Sequence, residues 1–104
     1  MRNKIFINII VQDPKTKEWT RKKIQAKEIF NWKSINLGLH RGITSKGETA
    51  KFWNVTELKT GLAIARECNT MKEAKEEAIS LLEIAGEEKT LKVIKSQLKK
   101  YKNL

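Results

Sequence analysis

The chain holds one histidine, His40, and one cysteine, Cys68. Acid–base or nucleophilic catalysis requires such a group to stand beside a partner. No Ser or Cys is spaced to stand beside His40. One cysteine forms no intrachain disulfide and supplies too few ligands for a Cys-based zinc site. Glu73, Glu76, Glu77 and Glu83 interleave with Lys72 and Lys75, the pattern of a solvated helix face rather than a concave carboxylate pair. Gly42 and Gly47 have the spacing of a nucleotide-phosphate loop, but Glu48 stands where that loop needs its lysine. A carboxylate there repels phosphate. No catalytic residue, metal ligand or cofactor site is assigned, and the chain is not expected to be an enzyme.

Recognition chemistry is better represented. Arg21, Lys22 and Lys23 run consecutively, and on a strand Trp19, Arg21 and Lys23 share one face. A ring flanked by cations stacks on a base while the cations meet phosphates. The same lysines equally suit an edge strand guarded against aggregation. Trp32 with Lys33 and Trp53 with Lys51 repeat the aromatic–basic pairing, although core packing suits Trp53 better. Near the C-terminus Lys92, Lys95, Lys99 and Lys102 recur three or four apart and form a basic ridge. They leave an apolar stripe of Leu91, Ile94, Leu98 and Tyr101 free. His40 and Arg41 sit in a glycine-bearing stretch that is a further candidate contact.

The net charge of +10 is large for 104 residues, and it is segmental. Residues 1–25 carry seven basic and two acidic side chains; residues 26–60 carry six and three. Residues 61–86 reverse to three and five, and residues 87–104 return to six and two. Such charge favours solubility and attracts phosphate or an acidic protein.

These residues need elements to hold them. With 39% hydrophobic and 33% charged residues the composition is globular, and the length fits a single domain over 1–104. Residues 4–11 alternate as a strand with apolar side chains on both faces, as a central strand would. A turn at Asp13–Pro14 leads to a second strand over 18–26. Ala26, Ile29, Phe30 and Lys33 fit a helical stripe, so a short helix is expected over 26–35. Gly38, Gly42 and Gly47 mark 36–49 as loop, functional or mobile at that length. Strands over 50–57 and 62–67 form a second hairpin around Gly61. Thr70 and Glu73 then make a capping box ahead of Met71, Ala74, Ala78, Leu81, Leu82 and Ala85. Gly86 ends that helix in the left-handed region, and Glu87 and Glu88 open another. The expected fold is α+β: an antiparallel sheet of two hairpins, about four strands, with two C-terminal helices packed on one face.

The one early apolar run is too short to span a bilayer and has no cleavage site behind it. A soluble cytoplasmic protein is expected. The stretch FWNVTELKTGLAIA followed by NTMKEAKEEAISLL resembles a strand–strand–helix unit of short phage and mobile-element proteins. That likeness implies a small accessory protein that binds nucleic acid or blocks a host machine, as anti-CRISPR proteins do. The segment TMKEAKEEAISLL is also similar to the last helix of double-stranded-RNA-binding domains. There Lys72 and Lys75 would match two phosphate-gripping lysines, while Met71 replaces the first and the Gly-Pro-x-His loop is absent. The resulting expectation is a binder of nucleic acid or nucleoprotein, with an acidic host protein as the alternative partner. Trp19, Arg21, Lys22, Lys23, His40, Arg41, Lys92, Lys95, Lys99 and Lys102 are the contact residues.

Overall fold

The computed structural model describes residues 5–44 and 48–100. Their fold is α+β, with six strands followed by two helices. Strands β1 (Ile5–Gln12) and β2 (Trp19–Ala26) form an antiparallel hairpin. Strands β3 (Glu28–Trp32), β4 (Ile35–Ile43), β5 (Thr49–Glu57) and β6 (Ala63–Cys68) form a second antiparallel sheet in that order. Helix α1 spans Met71–Ala85 and α2 spans Glu87–Lys100.

The four-stranded sheet has a distinct layer on each face. Leu37 and Leu39 of β4 and Val55 of β5 point to one face, where they pack with Ala74, Ala78 and Leu82 of α1 and Ile94 of α2. Alanines at the contact let α1 lie close to the sheet. The opposite face carries Gly38, and the β1–β2 hairpin covers it. A Cβ at Gly38 would stand 2.9 Å from Ile7 Cδ1, so the bare backbone makes room for β1. Ile7, Ile9 and Ala26 form this second core with Val11, Ile24, Ile43 and Leu58. Only Lys27 separates β2 from β3. Its N–H donates to the Leu39 carbonyl at 2.8 Å, so the chain turns directly from one sheet into the other.

Three expectations need correction. Residues 26–35 are not a helix: β3 occupies them and turns at Lys33–Ser34 into β4, with Trp32 paired to Ile35. Lys33 takes φ 53, a left-handed turn position without the glycine that would announce it. Residues 36–49 are not mostly loop, because β4 runs to Ile43 as an interior strand of the larger sheet. Nor is β1 central. Among the described residues it pairs with β2 alone, and its other edge meets the β5–β6 turn, where Ile10 N–H donates to the Gly61 carbonyl at 2.8 Å.

Local signals held elsewhere. Asp13 Oδ1 accepts from the N–H groups of Lys15 and Thr16, and these bonds, Thr16 first, hold its carboxyl below the usual range. Gly61 takes φ 78 in the β5–β6 turn. Thr70 Oγ1 accepts from Glu73 N–H at 3.1 Å. Gly86 has the expected positive φ, 85, but its ψ of 151 is extended rather than left-handed helical. That geometry lets one residue serve both helices: its N–H donates to the Leu82 carbonyl and its own carbonyl accepts from Thr90. Glu87 Oε2 accepts from the hydroxyl of Ser34 at 2.6 Å and from its N–H at 3.1 Å, tying α2 to the β3–β4 turn. The Ser34 hydroxyl foremost, then its N–H, lowers the Glu87 pKa, with help from Lys33.

Candidate nucleic-acid interface

In the hairpin register Phe6 stands opposite Gln25, Asn8 opposite Lys23, Ile10 opposite Arg21, and Gln12 opposite Trp19. Strand alternation puts these side chains on the face opposite Ile7 and Ile9, which is open to solvent at Phe6, Arg21 and Lys23 but closed at Ile10, 8% exposed. Phe6 is 52% exposed there, with Lys23 Nζ 5.7 Å from its ring centroid. Arg21, Lys23 and Phe6 therefore share an exposed face, with the half-buried Trp19 at its end. Arg21 and Lys23 make no ion pair among the described residues. Lys22 points to the other side of β2, yet it and Trp19 both line a cleft between the end of the hairpin and the sheet. The outer edge of β2 is unpaired among the described residues.

His40 is not a surface group. It is 2% exposed, on β4, in the wall of that same cleft. Its Nδ1 lies 2.8 Å from the Arg41 carbonyl, which can only accept, so Nδ1 carries the proton. Nε2 then accepts from the Thr56 hydroxyl at 2.6 Å. Burial lowers the pKa, opposed in part by the Arg41 bond, and the ring is neutral. Arg41 emerges on the opposite, helical face. Its guanidinium stacks on Trp53 at 4.2 Å from the ring centroid and donates to the Lys51 carbonyl at 2.7 Å. The two neighbours thus belong to different layers and make no joint contact site.

Lys92, Lys95 and Lys99 are exposed on α2, and Lys92 stands 3.9 Å from Glu88. Lys102 lies outside the described residues. Since α2 and the hairpin cover opposite faces of the sheet, the basic ridge and the cationic strand do not merge into one surface. Lys75 donates to Glu28 at 2.6 Å and lies over the Phe30 ring, which fixes α1 against β3. Cys68 is buried, with Sγ 3.0 Å from Glu77 Oε2. Burial foremost, then Glu77 and Glu73, pushes its thiol up to about 11. Among the described residues no three His, Cys, Asp or Glu side chains group to hold a metal ion, and no helix is long and apolar enough to cross a membrane.

Sequence reasoning missed Phe6 as an exposed ring on this face. Its signal was Asn8, a polar residue on the same face of an otherwise apolar strand. Missed too was the cleft, because its sheet wall was read as loop. The fold and the face define a small α+β protein with an aromatic–basic hairpin. No protein-family model, curated protein or solved structure matches the chain.

Proposed function

We propose that this protein is a non-enzymatic accessory protein that binds nucleic acid or a nucleoprotein through the outer face of its β1–β2 hairpin. The supporting observation is the arrangement there. Two exposed cations with no ion pair among the described residues, Arg21 and Lys23, share a solvent-facing surface with the ring of Phe6, and the half-buried ring of Trp19 borders it. Stacking platforms beside phosphate-seeking cations are what sequence-tolerant nucleic-acid binding requires. The α2 ridge is a secondary site, since it shares the helical layer with the carboxylates of α1. Reversing Arg21, Lys22 and Lys23 to Glu is expected to abolish binding to single-stranded or duplex probes at low salt. Unchanged affinity in that variant would sink the proposal.

A second reading has its own observation. The helical layer exposes Ile84 at 81% and Val93 at 50%, together with Leu81, Leu91 and Leu98. Apolar side chains in such number suit a protein partner, as an inhibitor of a host machine would need. Pull-down before and after nuclease treatment separates the two, because a protein partner held through this layer survives the nuclease.

A further inference from the structure

The sheet wall of the cleft is irregular in a directed way. Trp53 pairs with Cys68 and Val55 with Ala65, so Asn54 alone opposes two residues, Arg66 and Glu67. Neighbours in a regular strand point to opposite faces. Here both line the cleft at the bulge, where the regular alternation is interrupted. Glu67 takes φ 56, in the left-handed region where a non-glycine residue is strained. Its N–H is held by Asn54 Oδ1 at 2.9 Å, leaving the Asn54 amide NH2 to donate. A second irregularity, between Arg41 and Ile43 on β4, borders the same wall. Gly42 there lets the Phe52 ring lie directly on the backbone: a Cβ would stand 1.9 Å from Phe52 Cε2. Neither Arg66 nor Glu67 makes an ion pair among the described residues, so the fold itself does not use their charge.

The cleft has a volume near 590 Å³, and Trp19, Phe52, Lys22, Asn54, Arg66 and Glu67 all reach it. Ligand sites of this size combine apolar walls with a few convergent polar groups. Two aromatic rings offer a stacking wall to a planar group. The Asn54 amide donates and the Glu67 carboxylate accepts, the pair of functions that reads the hydrogen-bonding edge of a base. Arg66 and Lys22 supply positive charge for its phosphate, on a lining that also holds the carboxylates of Asp13 and Glu18 near the hairpin turn. Lys22 also lies between Arg21 and Lys23 on β2, so a strand bound along the hairpin passes the mouth of the cleft.

We infer that the cleft seats one unstacked nucleotide of a single strand, with its base against the rings and its phosphate at Arg66 and Lys22. This rests on the nucleic-acid reading above. Duplex bases stay stacked and paired, so the cleft favours single strands.

The test titrates isotope-labelled protein with a short oligothymidylate, a short duplex and adenosine monophosphate, following amide and indole signals. Affinities are measured in parallel for Arg66→Gln and for Arg21→Glu/Lys23→Glu. The single strand is expected to move the Trp19 indole and the Asn54 and Glu67 amides. Arg66→Gln is expected to weaken single-strand binding about fivefold or more and duplex binding by less than half as much. Single-strand binding that leaves the cleft signals in place, or equal losses on both probes, overturns the cleft site while the hairpin reading stands. If neither strand form binds, the nucleic-acid reading falls. The mononucleotide then decides the cleft: shifts at the same signals keep it as a nucleotide site, and their absence removes it.

Discussion

At the scale of single residues, His40 shows how placement decides chemistry. Sequence offered it as a surface contact beside Arg41, because glycines on both sides looked like loop. On β4 it is a buried, neutral ring with both nitrogens engaged. Its pH behaviour follows from the sign of the shift. The folded pKa lies below the ordinary 6.5, so above 6.5 both folded and unfolded rings are neutral and the full stability is present. As pH falls through 6.5 toward the lower folded value, the unfolded chain takes up the proton first and stability drops. Denaturant midpoints are therefore expected to fall between pH 7 and pH 5, and His40→Asn should flatten that dependence. An equal slope in the variant would assign it to other groups. Thr56→Val removes the donor to Nε2 and leaves a buried acceptor unmatched. A loss of about 1–3 kcal/mol is expected in the same denaturation measurement. Cys68 is the counterpart among thiols. With its pKa up to about 11 and its sulfur buried, it should resist alkylation at neutral pH until the protein unfolds. Labelling at the rate of a free thiol in native buffer would contradict that.

At the scale of elements, the parts that were legible carried their own local chemistry. Both α1 ends, the Asp13 turn and the Gly61 turn were written in capping and turn residues. The strands β3 and β4 were not. Ile29 and Phe30 fit a helical stripe, but only Phe30 packs on the core, because the β3–β4 hairpin turns the two to opposite faces. The turn at Lys33–Ser34 holds neither Gly nor Pro. Gly38 and Gly42 suggested loop, yet each is needed within β4 for a tertiary reason: Ile7 from the hairpin packs on one and the Phe52 ring on the other. Such contacts join distant parts of the chain and leave no local trace. The candidate face was partly legible for the same reason. Alternation alone put Trp19, Arg21 and Lys23 together, whereas the cleft depends on bulges that no residue type announces. Gly42 gives the test at this scale. Gly42→Ala forces a methyl into the Phe52 ring, so a destabilisation of about 1–3 kcal/mol is expected from thermal or denaturant unfolding. Combining it with Phe52→Leu should cost less than the sum of the two single changes, since the smaller side chain relieves the clash. Strict additivity would show that the ring does not pack there.

At the scale of the whole molecule, the sheet separates two charged layers. The hairpin side carries Arg21, Lys22 and Lys23, and the helical side carries Lys92, Lys95 and Lys99 above the carboxylates of α1. Sequence alone suggested two basic features serving one partner jointly. The layering makes them independent, and binding thermodynamics can read that independence. Each phosphate contact made by a cation releases counterions, so the logarithm of affinity falls with the logarithm of salt by about 0.7 per contact on a single strand. Removing the three hairpin cations should flatten that slope by roughly 2 for a single-stranded probe, if all three meet phosphate. Reversing Lys92, Lys95 and Lys99 to Glu should leave the slope close to that of the unmodified protein, because a strand lying on the hairpin does not reach the far side of the sheet. The combined variant should then match the sum of the two sets in free energy, to within about 0.5 kcal/mol, as expected for sites without shared partners. Fluorescence anisotropy over a salt series supplies all three slopes. A steep loss from the helical triple alone would move the binding surface to α2, and strong coupling between the sets would mean that one ligand wraps both layers.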